Sequence, residues 1–118
     1  MSERTRKKFA MLASDIEEIA TGYGSCLASD MITVGGLKVG YMYRKRPRDE
    51  HDSGWSFFGG QESDAYTSDA SNFEIYDVNT IANYDRDVVP LLDTPAPCAF
   101  ERNSATNNFV AVTPTFDA

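Results

Sequence analysis

The chain has 118 residues, enough for one domain with a modest core and too few for two. Hydrophobic residues make up 42% and charged residues 25%, a balance typical of a globular domain and not of a disordered chain. The net charge of −7 argues against nucleic acid as the main partner, because phosphate binding requires a basic surface. No apolar run approaches the roughly 18 residues of a membrane span, so no membrane partner is expected.

The N-terminus is basic but is not followed by the apolar stretch of a signal peptide, so we expect a cytoplasmic protein. We assign residues 1–12 to a flexible basic tail and residues 13–118 to the single domain. The two cysteines, Cys26 and Cys98, are expected to be reduced thiols, because disulfides are rare in the cytosol. Their spacing alone leaves a disulfide between them open.

The first half of the chain predicts a helix followed by a hairpin. Ser14 and Glu17 have the spacing of a capping box, which predicts a helix that runs to about Thr21. Residues 31–34 and 37–43 have strand composition, and the Gly-Gly pair between them is typical of a type I′ turn. We therefore expect Val39, Tyr41 and Tyr43 to share one face of the second strand.

The second half predicts short strands and short helices in alternation. Strands are predicted at residues 55–58 and 73–76, with about one helical turn near residues 63–66. Asp77 can cap a helix over residues 78–83, and Asp85 or Asp87 can cap another over 88–92, which Pro90 keeps short. Residues 98–102 and 108–112 predict a terminal hairpin. The fold class is therefore α+β, with an antiparallel sheet of about five strands and two to four short helices.

The chain offers no recognisable catalytic or metal motif. His51 lies among acidic residues, but neighbours on one loop rarely converge on a metal ion, and no second histidine completes a coordination shell. Asp77 and Asn79 alternate like the opening of a calcium loop, but the glycine and the terminal glutamate of an EF-hand are missing. We expect no cofactor, no metal and no catalytic residue, and therefore no enzyme.

Charge is strongly segregated along the chain. Residues 38–48 carry five basic side chains and no acid, whereas residues 49–87 carry ten acids and one base, a local net charge of −9. A solvated face is the usual explanation, but acids gathered on one surface would also steer a basic partner. Acidic and aromatic side chains together are suited to an interface. The hypothetical partner-binding residues are Glu62, Asp64, Tyr66, Asp69 and Tyr84.

A second hypothesis is a small-molecule or metal-binding accessory module. In that case a pocket would form near Trp55, Tyr76 and Asn79, which combine aromatic surface with an amide. Residue chemistry alone does not decide between this pocket and a protein interface.

Five segments of the chain resemble one bacterial family. They are GSCLASD at 24–30, VGYMYR at 39–44, DSGWSFFGG at 52–60, IYDVNTIANYD at 75–85 and AFER at 99–102. Together they are similar to the immunity protein 33-like family over about residues 22–112, and the string at 77–85 is quite specific.

The resemblance implies a small, non-enzymatic bacterial protein that neutralises a toxin by stoichiometric binding. It brings no catalytic residue to this chain. It implies a protein partner, and the acidity of the chain would suit a basic toxin such as a nuclease. Lys45 and Arg46 are a departure, because we expect that region to be more acidic in relatives.

Overall fold

The computed structural model describes residues 7–114 as a six-stranded sheet with short helices. The strands are β1 (Ser25–Ser29), β2 (Tyr41–Arg44), β3 (Asp52–Phe58), β4 (Phe73–Asp77), β5 (Cys98–Arg102) and β6 (Phe109–Val112). They lie in the order β4-β1-β3-β2-β5-β6. β1 runs parallel to β3, and the other neighbours are antiparallel. The α+β prediction is confirmed, with one more strand than expected and one parallel pair.

Three short α-helices accompany the sheet, and each begins at a side-chain cap. They are α1 (Asp30–Thr33), α2 (Asp64–Thr67) and α3 (Val78–Tyr84), capped by Ser29, Ser63 and Asp77. Such caps satisfy backbone N–H groups that have no partner inside the helix. Three 3₁₀ turns complete the elements within residues 7–114, at Ala13–Asp15, Ala70–Asn72 and Arg86–Leu91.

The core lies on one side of the sheet, between its strands and α3. Its sheet side is formed by Cys26, Ala28, Met42, Trp55 and Phe57, all of which are buried. The opposing apolar side chains are Ile32, Val39, Val78, Ile81, Ala82, Val88 and Leu92. Because β-strand side chains alternate between the two faces, burying these residues turns every second side chain towards the other face.

Most elements of the second half were predicted correctly. The structure has strands around residues 55–58 and 73–76, the turn of helix near 63–66, and the terminal hairpin. Asp77 caps α3 by accepting a hydrogen bond from the N–H of Asn79 at 2.9 Å. Asp85 caps the following element, which is a 3₁₀ turn containing Pro90. Local capping and turn chemistry decide these elements.

The predicted helix up to Thr21 is wrong. Only Ala13–Asp15 form a 3₁₀ turn, and Ser14 caps nothing. The backbone that would continue the helix is bound by α3 instead: the Asn79 side chain accepts from the N–H groups of Ile19 and Ala20, both at 2.8 Å. Asn79 also donates to the carbonyl of Glu17 at 2.8 Å. These tertiary hydrogen bonds replace the intrahelical ones.

The predicted hairpin at residues 31–43 is also wrong. Residues Asp30–Thr33 form α1, and Gly36 adopts φ 78° at the end of this helix. The N–H of Leu37 donates to the carbonyl of Met31 at 3.0 Å, which closes the helix end in the manner of a glycine C-cap. The Gly-Gly pair therefore terminates a helix. Tyr41 and Tyr43 do share one face of β2, but Val39 precedes the strand and is buried in the core.

The described part of the predicted N-terminal tail contacts the domain. The Lys7 ammonium lies 2.9 Å from a carboxylate oxygen of Asp30 and 2.9 Å from one of Glu74. The N–H of Ala10 donates to the carbonyl of Thr33 at 2.7 Å. Residues 1–6 lie outside the described residues, and the domain boundary at residue 12 stays a prediction.

Candidate functional site

The face of the sheet opposite the core is apolar and accessible, and we call it the open face. Strand alternation and the register place on it Leu27, Tyr41, Tyr43, Phe58, Phe73, Ile75, Glu101 and Val112. Ile75 on the edge strand β4 is 64% exposed. Apolar side chains that stay accessible on one face of a sheet are typical of a protein-binding site.

Five aromatic rings pack side by side on the open face. Tyr43 stacks on Phe58 with ring centroids 5.7 Å apart, and Tyr41 lies 5.9 Å from each of them. Phe73 meets Phe58 edge to face at 5.9 Å, and Tyr66 meets Phe73 in the same way at 5.8 Å. All five side chains are half-buried. Rings held against one another lose little entropy on binding, so they suit the centre of an interface.

A groove crosses the open face in three connected sections. The middle section encloses about 530 Å³ between Leu27, Tyr43, Phe58 and Ile75. It shares Phe58 with a section of about 510 Å³ on one side. It shares Tyr43 and Ile75 with a section of about 320 Å³ on the other side. The three sections therefore adjoin one another along the open face, and their row has two ends.

The two ends of the groove carry opposite charges. Glu62 and Glu101 line one end, which we call the acidic end. Lys45, Arg46 and Arg48 line the other, which we call the basic end. The Lys45 ammonium lies 5.9 Å from the centre of the Tyr43 ring, so the basic end adjoins the aromatic rings directly.

One acid, Asp52, lies within the basic end. Its carboxylate lies 3.5 Å from the Arg48 guanidinium and accepts hydrogen bonds from the N–H groups of Arg48 and Gly54 at 3.0 and 2.9 Å. Burial alone would raise the pKa of Asp52, but these hydrogen bonds and the charge of Arg48 outweigh it, so the pKa lies below its usual value. Asp52 is therefore ionised at neutral pH and offsets part of the positive charge.

Glu62 has a structural role that the sequence did not reveal. Its carboxylate accepts hydrogen bonds from the N–H groups of Gly59 and Gly60 at 2.7 and 2.9 Å, which closes the turn after β3. Its charge still contributes to the acidic end, but replacing it would also disturb this turn.

The other hypothetical partner-binding residues are divided between two sides of the molecule. Tyr66 belongs to the aromatic rings of the open face, and Asp64 and Asp69 are exposed on the segment that carries it. Tyr84 lies apart from them. Its hydroxyl accepts from the N–H of Met11 at 3.2 Å and donates to the carbonyl of Thr33 at 3.1 Å, so Tyr84 holds the N-terminal segment.

The three residues of the alternative pocket serve the packing of the domain. Trp55 is 1% exposed, and its indole N–H donates to the carbonyl of Leu92 at 3.2 Å. Asn79 binds the backbone of residues 17–20 as described above. Tyr76 is half-buried, meets Phe9 edge to face at 6.2 Å, and donates to the Thr33 hydroxyl at 3.1 Å. Their polar groups are directed at the protein itself.

The histidine and the two cysteines belong to no metal-binding group in the part of the chain that the structure describes. Within residues 7–114, no group of three or more metal-ligating side chains is close enough to hold an ion. His51 is exposed beside Glu50, with 3.6 Å between the imidazole and the carboxylate. Cys26 and Cys98 are free thiols, and burial raises the pKa of each.

Several residues of the open face were not among the predicted site residues. They are Tyr41, Tyr43, Phe73, Ile75 and Glu101. Alternation in β2 and β4 was the available signal, because apolar side chains recur at every second position at 41 and 43 and at 73 and 75. What the sequence did not give was the order of the strands, which brings β4 and β2 to either side of β1 and β3.

The open face is an accessible apolar surface, and comparisons with known proteins identify the family of the chain. Among the described residues, no helix is long and apolar enough to cross a membrane. The chain matches no curated protein and no solved structure. The family model described as the Immunity protein Imm33 domain matches residues 26–113, which include the three α-helices and, apart from Ser25 at the start of β1, the six strands. The chain therefore belongs to the Imm33 immunity protein domain family.

Proposed function

We propose that the protein neutralises a bacterial toxin by binding it stoichiometrically through the open face, without catalysing a reaction. The membership of the Imm33 immunity domain family supports the general role. The single structural observation that supports the location is the row of five aromatic rings in an accessible groove. In this proposal the protein acts in the cytoplasm of the bacterium that makes the toxin.

Tight stoichiometric inhibition is favoured by a surface that is ordered before the partner arrives. The rings of Tyr41, Tyr43 and Phe58 rest on strands in the middle of the sheet, where ladder hydrogen bonds hold the backbone on both sides. Preformed side chains avoid the entropy cost of ordering on binding, so more of the contact energy remains as affinity. This favours tight binding over an area of ordinary size.

The acidic end favours toxins with a basic contact surface. Glu62 and Glu101 line the groove there, and Asp64 and Asp69 are exposed on the adjoining segment. A toxin whose active-site cleft is basic, such as a nuclease, would be attracted to this end. Covering that cleft would block its substrate, so inhibition needs no chemical step.

The test is neutralisation of the protein encoded by the gene adjacent to this one. Co-expression in a bacterial host should restore growth, and the purified pair should form a complex of defined stoichiometry by light scattering. Ile75→Arg places a charge on the exposed edge of the open face and should abolish rescue. Leu12→Arg is the matched control, because Leu12 is 67% exposed but belongs to the N-terminal segment on the core side of the sheet.

The two variants separate the proposal from its rivals. Rescue by wild type and by Leu12→Arg, but not by Ile75→Arg, supports binding through the open face. Rescue by Ile75→Arg together with loss of rescue by Leu12→Arg would move the interface to the other side of the molecule. Absence of any complex between wild type and the adjacent gene product would contradict the toxin-neutralising role for that pair.

A further inference from the structure

We propose that the basic end of the groove binds an acidic patch on the same protein partner, so that the partner carries charges of both signs along its contact surface. This inference rests on the proposed function, because it takes the partner to be a protein that lies on the open face. It adds an orientation: the partner's basic groups face Glu62 and Glu101, and its acidic groups face Arg46 and Arg48.

The basic end has the side chains to hold carboxylates. Arg46 is exposed, and Arg48 is 88% exposed although one of its nitrogens faces Asp52. A guanidinium has five N–H donors, so pairing with a single carboxylate leaves donors for a second. The groove lining at this end contains three basic side chains and one acidic one, which leaves it net positive.

The basic end also has an apolar floor, so it differs from a cluster of charges that is simply surrounded by water. Leu27, Tyr43 and Ile75 line both this section of the groove and the middle section. A partner that covers Tyr43 and Ile75 therefore also lies against the groove beside Arg46 and Arg48. Covering it removes water from these cations, so carboxylates on the partner are needed to compensate for the lost hydration.

The opposite charges of the two ends determine which class of partner fits the groove. A uniformly basic partner would match Glu62 and Glu101 but place like charges against Arg46 and Arg48. Nucleic acid would match the basic end, yet its phosphates would meet the acidic end of a chain whose net charge is −7. A protein surface can alternate in sign over the length of the groove, so it fits both ends.

The first experiment measures association of the adjacent gene product with charge-reversal variants at low salt. Arg46→Glu should weaken binding about tenfold, because it opposes an acidic patch. Arg86→Glu is the matched control, since Arg86 is also exposed but lies with Glu17 away from the groove, and it should change binding less than twofold. Glu101→Lys should weaken binding to a similar extent from the opposite end.

A second experiment uses synthetic ligands, so that the inference can be judged without the toxin. One ten-residue peptide carries three glutamates, a central Val-Tyr-Val-Tyr and three lysines, and it spans about 33 Å when extended. A second peptide has lysine at all six charged positions, and a single-stranded decanucleotide represents nucleic acid. The two-sign peptide should bind most tightly and shift the amide NMR signals of residues 45, 46 and 48 together with those of residues 58 and 101.

The outcomes separate the two proposals. If wild type binds the adjacent gene product and Arg46→Glu binds it equally well or better, the orientation is wrong while the neutralising role stands. If that protein does not bind at all, the proposed function fails for it, and the peptides decide the inference alone. Equal or tighter binding of the all-lysine peptide or the oligonucleotide, or absence of binding by the two-sign peptide, overturns the two-sign surface.

Discussion

At the scale of single residues, Trp55 shows why an aromatic strand can supply the core and the binding surface at once. Its indole stacks on Phe57 with ring centroids 5.9 Å apart, and the Arg44 guanidinium lies 5.7 Å from the centre of the ring. Phe58, which follows Phe57 in β3, points to the opposite side, the open face. One strand therefore contributes side chains both to the core and to the open face. Substitutions on its core side should affect stability, and substitutions on its open-face side should affect binding.

Trp55→Ala should destabilise the domain severely. The substitution removes a fully buried ring and leaves the Leu92 carbonyl without its indole donor, so we expect a loss of about 3 to 5 kcal/mol in the free energy of unfolding. Chemical unfolding followed by far-ultraviolet circular dichroism measures it. Ile75→Ala on the open face is the control and should cost much less, because that side chain is 64% exposed. Wild-type stability of Trp55→Ala would mean that the core assignment is wrong.

The two thiols should react slowly and at different rates with a maleimide at neutral pH. Burial and the charge of Asp77 raise the pKa of Cys26, and partial burial raises the pKa of Cys98, so the reactive thiolate is scarce at both. Cys26 is buried and should be the slower of the two. Mass spectrometry of peptides after timed labelling measures both rates, with urea-unfolded protein as the control. Faster labelling of Cys26 than of Cys98 would contradict this order.

At the scale of elements, Asn79 decides the conformation of a segment about sixty residues away in the sequence. Its side chain oxygen accepts from the backbone N–H groups of Ile19 and Ala20, and its amide donates to the carbonyl of Glu17. Asn83, one turn later on α3, also binds both backbone groups of Glu17. Two amides on one helix thus hold residues 17–20 in a non-helical conformation.

Asn79→Ala should therefore cost about 2 to 3 kcal/mol in the free energy of unfolding. The variant leaves the N–H of Ala20, which is buried, without an acceptor. Asn83→Ala is the matched control. Its hydrogen bonds to Glu17 are exposed, so water can replace them and the cost should stay below about 1 kcal/mol. Urea unfolding followed by the fluorescence of Trp55 compares the two. Equal losses would show that the amide of Asn79 is not specially important.

These elements also show what the sequence could and could not predict. The cap at Asp77 and the end of a strand at Phe58 depend on neighbouring residues, so local chemistry identified them. Residues 31–36 contain the local signals of a hairpin, but Asp30–Thr33 form α1, which the Ser29 side chain caps and which buries Ile32 in the core. The parallel pairing of β1 with β3 requires a connection through β2 that no local signal encodes.

At the scale of the whole molecule, the charge pattern along the chain becomes a pattern across one surface. The basic residues at 45–48 and the acidic residue Glu62 are close in sequence, but β3 carries the chain from one end of the groove to the other between them. Glu101 joins the acidic end from β5 because it pairs with Tyr41. The sequence predicted the segregation of charge, and the sheet determines which charges share a groove.

The same surface makes a prediction about the rate of association with a basic toxin. Asp64→Asn combined with Glu101→Gln removes two negative charges near the acidic end while leaving Glu62 to close its turn. Association at low salt should slow about three- to tenfold, with a smaller change in dissociation, because exposed charges act mainly on the encounter. At about 1 M salt, where the screening length is about 3 Å, the difference should largely vanish.

The control for this prediction must carry the same change in net charge at a different place. Asp15→Asn combined with Glu18→Gln also removes two exposed negative charges, but both residues belong to the N-terminal segment on the core side of the sheet. Stopped-flow measurements of association at several salt concentrations compare the two double variants. If the acidic end guides the partner, only the first variant slows association markedly. If both slow it equally, net charge alone sets the rate, and the acidic residues beside the groove act only as part of a solvated surface.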